Sequence, residues 1–458
     1  MKVIVCGAGQ VGFHIARQLA MEANDVTVID QSEELVRRVS DSMEVQAFVG
    51  FASHPDVLER AGAADADMII AVTYADEVNM VACQVAHSLF NLPTKVARIR
   101  HQSYLQPIWA DLFSRDHMPI DVIISPEIEV ARAISRRLQV PGAFETITFA
   151  GGKVKLMGVR CNEDCPVINT PLRQLTGIFP DLNIVVVGII RDGEGIVPDA
   201  DQMMLAGDDV YFVADAAHVP RAMAVFGHEE TVARRIIIAG GGNIGAFLGQ
   251  IIEKDHPGVN ARIIESNRDR AHVVADMLEK TVVINGNVLD PEILEEVNVA
   301  DSEAIIAVTN DDETNILASL LAKRFGSRRA VTLINNMTYA PLITTLGIDV
   351  VVSPRAITVS SILQHVRRGR IRAVHSLGDG FGEIIEAEIL ETSSLLGKSI
   401  AEADLPGGVL FGAVVRDGEV ITPRGDTTLR TNDRVVLFAA AAAVKAVERL
   451  FAVRLEFF

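Results

Sequence analysis

Short, wholly apolar runs alternate with amphipathic stretches over the first quarter of the chain. Val3-Ile4-Val5 reads as a buried strand, Val11 to Ala20 as a helix and Val26-Thr27-Val28-Ile29 as a second strand. Further strands are predicted at Met68 to Val72 and Lys95 to Ile99. Apolar strands alternating with helices at this spacing imply βαβ units and a parallel sheet covered on both faces. The stretch from Ser125-Pro126 to Pro141-Gly142 reads as a connecting helix with breakers at both ends. The pattern then changes. β-branched runs are broken by turns such as Asp192-Gly193 and, much later, Asp417-Gly418, which predicts small α+β modules built on hairpins.

This plan occurs twice. Lys2-Val3-Ile4-Val5-Cys6-Gly7-Ala8-Gly9-Gln10-Val11-Gly12 returns as Arg235-Ile236-Ile237-Ile238-Ala239-Gly240-Gly241-Gly242-Asn243-Ile244-Gly245. Gly50 to Asn79 aligns without a gap on Gly286 to Asn315, with 14 identities in 30 positions, far above chance. Asp76-Glu77 and Asn79 recur as Asp312-Glu313 and Asn315, and Asp121 to Pro126 resembles Asp349 to Pro354. In the smaller modules, Arg191-Asp192-Gly193 is echoed by Arg416-Asp417-Gly418, and Gly207-Asp208-Asp209-Val210 by Thr431-Asn432-Asp433-Arg434-Val435. The order is therefore A-B-A′-B′. The predicted class is α/β: two Rossmann-like, doubly wound parallel-sheet domains, each followed by a small α+β module. The expected division is 1–123 and 232–350 for the sheet domains, 124–142 and 351–367 for connecting helices, and 143–227 and 368–453 for the smaller modules.

Composition narrows the function. The chain has 458 residues, a formal net charge of −18 and four cysteines, Cys6, Cys83, Cys161 and Cys165. So acidic a chain lacks the basic face that nucleic acid or an anionic bilayer requires. Its longest apolar run, Val435 to Val444, is about half the ~18 residues needed to span a membrane. The N-terminus runs straight into a strand and glycine turn without a small-residue cleavage site, so no signal peptide is expected. Four cysteines in a chain this long suit a reducing cytosol rather than a disulfide framework. These features predict a cytoplasmic protein without direct membrane insertion, held at any membrane by a partner.

The candidate chemistry lies in the sheet domains. Gly7, Gly9 and Gly12 form a Gly-x-Gly-x-x-Gly that follows an apolar strand and opens a helix. There the first glycine permits a tight turn, the second lets a pyrophosphate approach the backbone, and the third packs helix on strand. The helix N-terminus offers free N–H groups to the phosphates. Asp30 ends the next strand 18 residues after Gly12, where a carboxylate accepts ribose hydroxyls and repels a 2′-phosphate, favouring NAD over NADP. Gly240, Gly242 and Gly245 repeat the fingerprint, with Glu265 20 residues after Gly245. Thr73 ends the fourth strand, where ligands bind in open α/β sheets, and is placed either to bond a nucleotide through its hydroxyl or to serve only as a polar strand end. Asp76 reads as a helix cap. Arg98 is placed either to reach phosphates or to face solvent, and Leu333 stands at its place in the repeat.

Other chemistries lack their residues. Gly397-Lys398-Ser399 has Thr392 where a P-loop needs glycine, and His228-Glu229 has Val232 where a zinc-protease helix needs histidine. Cys161 and Cys165 have no second ligand pair nearby in sequence, and no metal or catalytic residue is assigned.

With the fingerprints, the acids and the duplicated order in view, the chain resembles the RCK family of potassium-transport regulators over essentially its whole length. The residues that carry this include Val3 to Gly12, Asp30, Ala97-Arg98-Ile99-Arg100, Leu396-Gly397-Lys398-Ser399-Ile400 and Arg416-Asp417-Gly418. The resemblance implies a regulator and not an enzyme. It implies a homo-oligomer, either a dimer or a tetrameric ring, beneath a potassium-translocating membrane subunit of the Trk type on the inner face of the cell membrane. NAD or NADH would bind, with ATP and ADP as alternatives at the same sites. The implied contacts are Gly7, Ala8, Gly9, Gln10, Val11, Asp30, Thr73, Tyr74 and Arg98 in the first site. In the second they are Gly240, Gly241, Gly242, Asn243, Ile244, Glu265 and Thr309, with Leu333 a departure that implies different or weaker binding. The small modules would bind ligands or mediate assembly. An NAD-dependent dehydrogenase shares the fingerprint and is the alternative, but it would need an acid–base set that the duplicated modules do not display. A soluble nucleotide sensor of another process is a third reading.

Overall fold

The structure is a computed structural model describing all residues but 23, 139, 141, 180–181, 229–232, 340–342, 344–345, 364, 366–370, 379 and 452–458. The expected boundaries at 232, 367, 368 and 453 therefore lie outside the described residues.

In chain order, the first sheet is built from β1 (Lys2–Cys6), β2 (Asp25–Asp30), β3 (Gln46–Val49), β4 (Met68–Ala71), β5 (Thr94–Arg98) and β6 (Val122–Ile124). The intervening helices are α1 (Gln10–Met21), α2 (Glu33–Ser42), α3 (Pro55–Arg60) and α4 (Asp76–Phe90). The strands are parallel, in the order β3-β2-β1-β4-β5-β6. The helix α5 (Pro126–Leu138) follows, and then β7 (Ala143–Phe149), β8 (Val154–Arg160), α6 (Leu172–Ile178), β9 (Ile184–Arg191), β10 (Glu194–Ile196), β11 (Asp209–Asp215) and α7 (Val219–Val225). These five strands form an antiparallel sheet in the order β10-β9-β11-β8-β7.

The second half repeats both. Its parallel sheet is β12 (Arg235–Ala239), β13 (Asn260–Glu265), β14 (Val282–Asn285), β15 (Ala304–Ala307), β16 (Ala330–Leu333) and β17 (Val350–Val352), ordered β14-β13-β12-β15-β16-β17. Its helices include α8 (Asn243–Asp255), α9 (Arg268–Met277), α10 (Pro291–Glu296) and α11 (Asp312–Arg324). A helix over Pro354–Leu363 leads to β18 (Ile371–Leu377), β19 (Gly382–Glu388), β20 (Val409–Arg416), β21 (Glu419–Ile421) and β22 (Arg434–Ala440), ordered β18-β19-β22-β20-β21. The expected strands and the two classes of sheet are present.

The contacts divide the chain into two compact units: residues 1–133 with 235–366, and residues 134–234 with 367–458. In the first unit, alternation along each strand builds the two faces of the sheet. Ile4, Cys6, Ile69 and Ala71 enter one buried cluster, while Val3, Val5, Met68 and Ile70 enter another. The second cluster is completed from the other repeat: Ile362 and Leu363 of the Pro354–Leu363 helix are buried in it beside Ile15 and Leu19 of α1. At roughly 1.5–3 kcal/mol per fully buried aliphatic side chain, this shared core ties the two sheet domains together.

In the second unit the inner faces of the two antiparallel sheets share a core that includes Phe149, Leu156, Tyr211, Leu377, Ile384 and Phe438. The Asp-Gly pairs form the predicted two-residue hairpins. Asp192 and Gly193 both take positive φ, 51° and 85°, between β9 and β10, and Asp417 and Gly418 do so between β20 and β21 at 50° and 87°. The echoed arginine and aspartate motifs are partners. Arg191 grips buried Asp208 with two hydrogen bonds of 2.8 and 2.7 Å, and Arg416 grips buried Asp433 with the same two lengths. Burial works against the Asp208 charge, but Arg191 and the Leu205 N–H outweigh it and hold the carboxyl below its ordinary range.

No helix among the described residues is long and apolar enough to cross a membrane. Helix α8 is tied down by Glu253, whose carboxylate accepts the N–H groups of Glu279, Lys280 and Thr281 at 3.0, 2.7 and 2.6 Å. Desolvation alone would raise its pKa, but the three donors lower it to about 2 from the ordinary 4.5. A depressed carboxyl pKa contributes stability that is fully present above the unfolded value and lost as pH falls toward the folded one. Glu253→Gln should therefore lower the melting temperature at pH 7, and the gap from the native chain should close between about pH 4.5 and 2. Thermal melts across that range check this, and a gap that stays constant would contradict it.

Candidate functional site

In each parallel sheet the first strand runs into a glycine loop whose geometry leaves little choice of residue. Gly7 sits at φ 109°, and an added Cβ would lie 3.0 Å from the Thr73 nitrogen. A Cβ on Gly12 would lie 1.8 Å from the Gly7 carbonyl oxygen, so the first turn of α1 can press on the loop only through glycine. Gly9, the N-cap of α1, has nothing within 4 Å of its missing Cβ. The three glycines thus serve the turn, the open approach and the close packing that their spacing predicts. The second loop matches: Gly240 has φ 111°, a Gly245 Cβ would meet Gly240 oxygen at 2.0 Å, and Gly242 is open.

The acid of each site closes on its loop. Asp30 accepts the Ala8 N–H at 2.6 Å through one oxygen and the Ser32 N–H at 2.8 Å through the other. Glu265 accepts the N–H groups of Gly241 at 2.7 Å and Asn267 at 2.8 Å. Each carboxylate is held at the loop with further acceptor capacity on both oxygens.

Thr73 and Arg98 join the first loop. Arg98 Nη2 donates to the Thr73 carbonyl at 2.7 Å, while its Nε is buried without a hydrogen-bond partner. Burial, with Arg100 beside it, lowers the Arg98 pKa from its ordinary value. Gly7, Ala8, Asp30, Thr73 and Arg98 are therefore one connected group at the carboxyl ends of β1, β2, β4 and β5. Gln10 and Val11 follow in the first turn of α1, and Tyr74, 87% exposed, lies on the rim. In the repeat, Thr309 meets Gly240 as Thr73 meets Gly7, and Asn243 and Ile244 open α8. Leu333 is buried and brings no charge.

Three residues went unassigned in sequence. Asn79 is wholly buried, accepts the backbone N–H and hydroxyl of Thr73 at 2.8 and 2.7 Å, and donates to the carbonyls of Thr73 and Arg98 at 3.2 and 2.9 Å. Asn315 repeats this with Thr309 and Leu333. The signal was present, since this asparagine recurs in both halves. Arg270 of α9 donates to the Gly241 carbonyl at 2.8 Å and to Asn243 Oδ1 at 3.2 Å, placing a guanidinium on the second loop. Nothing in the sequence marked it, because Leu35 holds the equivalent place in the first repeat.

Asp76 differs from expectation. Ala75 is the N-cap of α4, and the Asp76 carboxylate instead accepts the N–H groups of Arg100 and His101 at 2.9 and 2.7 Å, clamping the loop after β5. Asp312 does the same for Asn335 and Asn336. Among the described residues, no group of three or more His, Cys, Asp or Glu side chains is placed to hold a metal ion. The open approach at Gly9 and the free end of α1 fit the phosphates of a nucleotide, and Asp30 fits its ribose.

Comparison with known proteins agrees with this architecture. The TrkA-N domain family matches residues 3–126 and 236–354, and the TrkA-C domain family matches residues 156–227 and 384–452. The chain belongs to the TrkA family. The Trk system potassium uptake protein TrkA of Azorhizobium caulinodans is 56% identical over 458 residues, with both chains covered in full. That of Halomonas elongata is 41% identical over 462 residues, again covering both chains in full. Among solved structures, the GsuK RCK domain superposes with a TM-score of 0.59 at 19% identity, covering 99% of this chain and 95% of the other. The GsuK channel bound to NAD gives 0.59 at 18% identity, covering 99% of this chain and 79% of the other. Those two likenesses establish the RCK fold. The TrkA-family names place the chain with potassium-transport proteins rather than with the dehydrogenases that share the glycine fingerprint.

Asn79→Ala should leave the Thr73 N–H and the Arg98 carbonyl without their partner and cost about 1–3 kcal/mol. Chemical denaturation measures this, and a change below about 0.5 kcal/mol, the scale of an ordinary surface substitution, would contradict the role given to Asn79.

Proposed function

We propose that this TrkA-family chain is a cytoplasmic, nucleotide-binding regulatory subunit. It would gate a Trk-type membrane potassium-uptake channel or transporter through ligand-dependent rearrangement of its Rossmann-like domains. The observation that carries this reading is the pair of glycine loops, each with an open second glycine and an acid fastened to its backbone. They lie in a duplicated chain whose relatives are named as potassium-uptake proteins.

The proposed ligands are NAD or NADH, with ATP and ADP at the same sites. When bound, such a ligand supplies negative charge and a purine. Gly9 and the α1 N-terminus admit phosphates, Asp30 accepts ribose hydroxyls and disfavours a 2′-phosphate, and Thr73 with Arg98 closes the far side of the crevice. Tyr74 borders the first site. Gly240 to Gly245, Glu265 and Thr309 form the second.

Regulation requires that the two conformations of the assembly bind the ligand differently, since equal affinity for both shifts nothing. The same coupling must appear in reverse, as a change in ligand affinity when the membrane partner is bound. The assembly is proposed to be a homo-oligomer, a dimer or a tetrameric ring, held at the inner face of the membrane by its partner. The sheet domains are proposed to span 1–123 and 232–350, the connecting helices 124–142 and 351–367, and the smaller modules 143–227 and 368–453.

A tagged chain used to capture partners from detergent-solubilised membranes, with and without NADH or ATP, should retain a potassium-translocating membrane subunit. Its yield should depend on the nucleotide. Recovery of soluble proteins alone in every condition would overturn the regulatory reading while leaving the nucleotide sites in place.

A further inference from the structure

The first glycine loop contains no basic side chain between Gly7 and Gly12. One arrives from the other repeat. Arg355, in the first turn of the Pro354–Leu363 helix, donates from Nη1 to Gln10 Oε1 at 3.0 Å. Gln10 is the first residue of α1, immediately after the open Gly9. The helix that bears Arg355 follows the last strand of the second sheet, yet it buries Ile362 and Leu363 in the core of the first domain.

The second loop shows the same arrangement by a different route. Asn243 stands where Gln10 does, and its amide oxygen accepts a guanidinium N–H from Arg270 at 3.2 Å. Arg270 comes from the domain's own helix, and Arg355 from the neighbouring repeat. Two loops that reach one arrangement from unrelated positions indicate that a guanidinium beside the first helix residue is a feature of the site. Neither arginine has an arginine counterpart: Leu35 stands opposite Arg270, and Glu127 stands opposite Arg355, where it pairs with Arg100 at 3.1 Å instead.

We infer that Arg355 is a phosphate-binding residue of the first nucleotide site, supplied across the internal repeat, so that the phosphates of an adenine nucleotide fasten the second domain's helix, already seated there, more firmly to the first domain's loop. This rests on the reading of that loop as a nucleotide site. A guanidinium suits the task because its fixed fork of donors can keep one N–H on Gln10 and turn others to phosphate oxygens. The bridge also gives the occupied and empty first site a mechanical difference that the second domain can read. It predicts an asymmetry: the first site clamps the two repeats together, whereas the second site, with Arg270, closes only on itself.

The test uses the full chain carrying Gly242→Val, which fills the open approach of the second site and leaves one site to titrate. ADP and adenosine, the phosphate-free control, are titrated by calorimetry or competition. Arg355→Gln should weaken ADP about tenfold, a loss of one charged contact, and leave adenosine within about twofold. Arg355→Lys should recover part of the ADP affinity, because it restores charge without the fork. On the unsubstituted chain, ADP should slow backbone hydrogen exchange in residues 354–363, and adenosine should not. Unchanged ADP affinity in Arg355→Gln would overturn the inference while the nucleotide site stands. An equal loss of ADP and adenosine would overturn it too, by showing a structural role, and so would exchange at 354–363 that ADP does not alter. If Gly9→Val in the same background leaves ADP binding intact, the reading of the loop falls, and the inference falls with it.

Discussion

The close approach of Gly12 to the Gly7 carbonyl is the constraint on which the first domain depends. With no room for a single added carbon, α1 is fixed against the end of β1, and its free N–H groups face the crevice at the carboxyl ends of the strands. Once the helix is placed, Gly9 is open, Ala8 N–H reaches Asp30, and Gly7 lies against Thr73. Asn79 then ties Thr73 to the carbonyl of Arg98. The same chain of consequences runs from Gly245 and Gly240 to Glu265, Thr309 and Asn315. A site that rests on backbone geometry can be copied intact while its charged side chains diverge.

That divergence is what makes the duplication informative. Both repeats hold an aspartate at the start of the last parallel strand, but the lysine that meets it comes from different elements. Lys95 of β5 reaches Asp121 at 2.7 Å in the first repeat, and Lys323 of α11 reaches Asp349 at 2.9 Å in the second. The first site has Arg98 and the second has Leu333 with Arg270. The scaffold tolerates these exchanges because each keeps a buried or half-buried charge paired, which is the costly condition to violate. The two loops therefore share one backbone geometry but carry different charged side chains around it.

Most of the architecture was legible because it is written in local patterns. Continuous apolar strands, a glycine fingerprint between strand and helix, and Asp-Gly pairs with obligatory positive φ each declare themselves within a few residues. The repeat strengthened every one of them. What local pattern could not show was pairing across distance. Asp76 looks like a cap because aspartates before helices usually are, but its partners are two N–H groups from a loop beyond β5. Asn79 was visible as a recurring residue without a role, since its four hydrogen bonds link separate strands. Arg270 and Arg355 carried no signal, because each occurs in one repeat alone and acts on a loop far away in sequence.

On the function proposed above, nucleotides held at these loops set the activity of a potassium-translocating membrane partner. Flux through that partner, reconstituted in vesicles with the chain, tests it most directly, with rubidium as the tracer for potassium. That flux should change with NAD, NADH, ADP or ATP and lose the dependence when Gly9 and Gly242 are both replaced by valine. A flux indifferent to every nucleotide with the native chain, or a dependence that survives the double replacement, would contradict it.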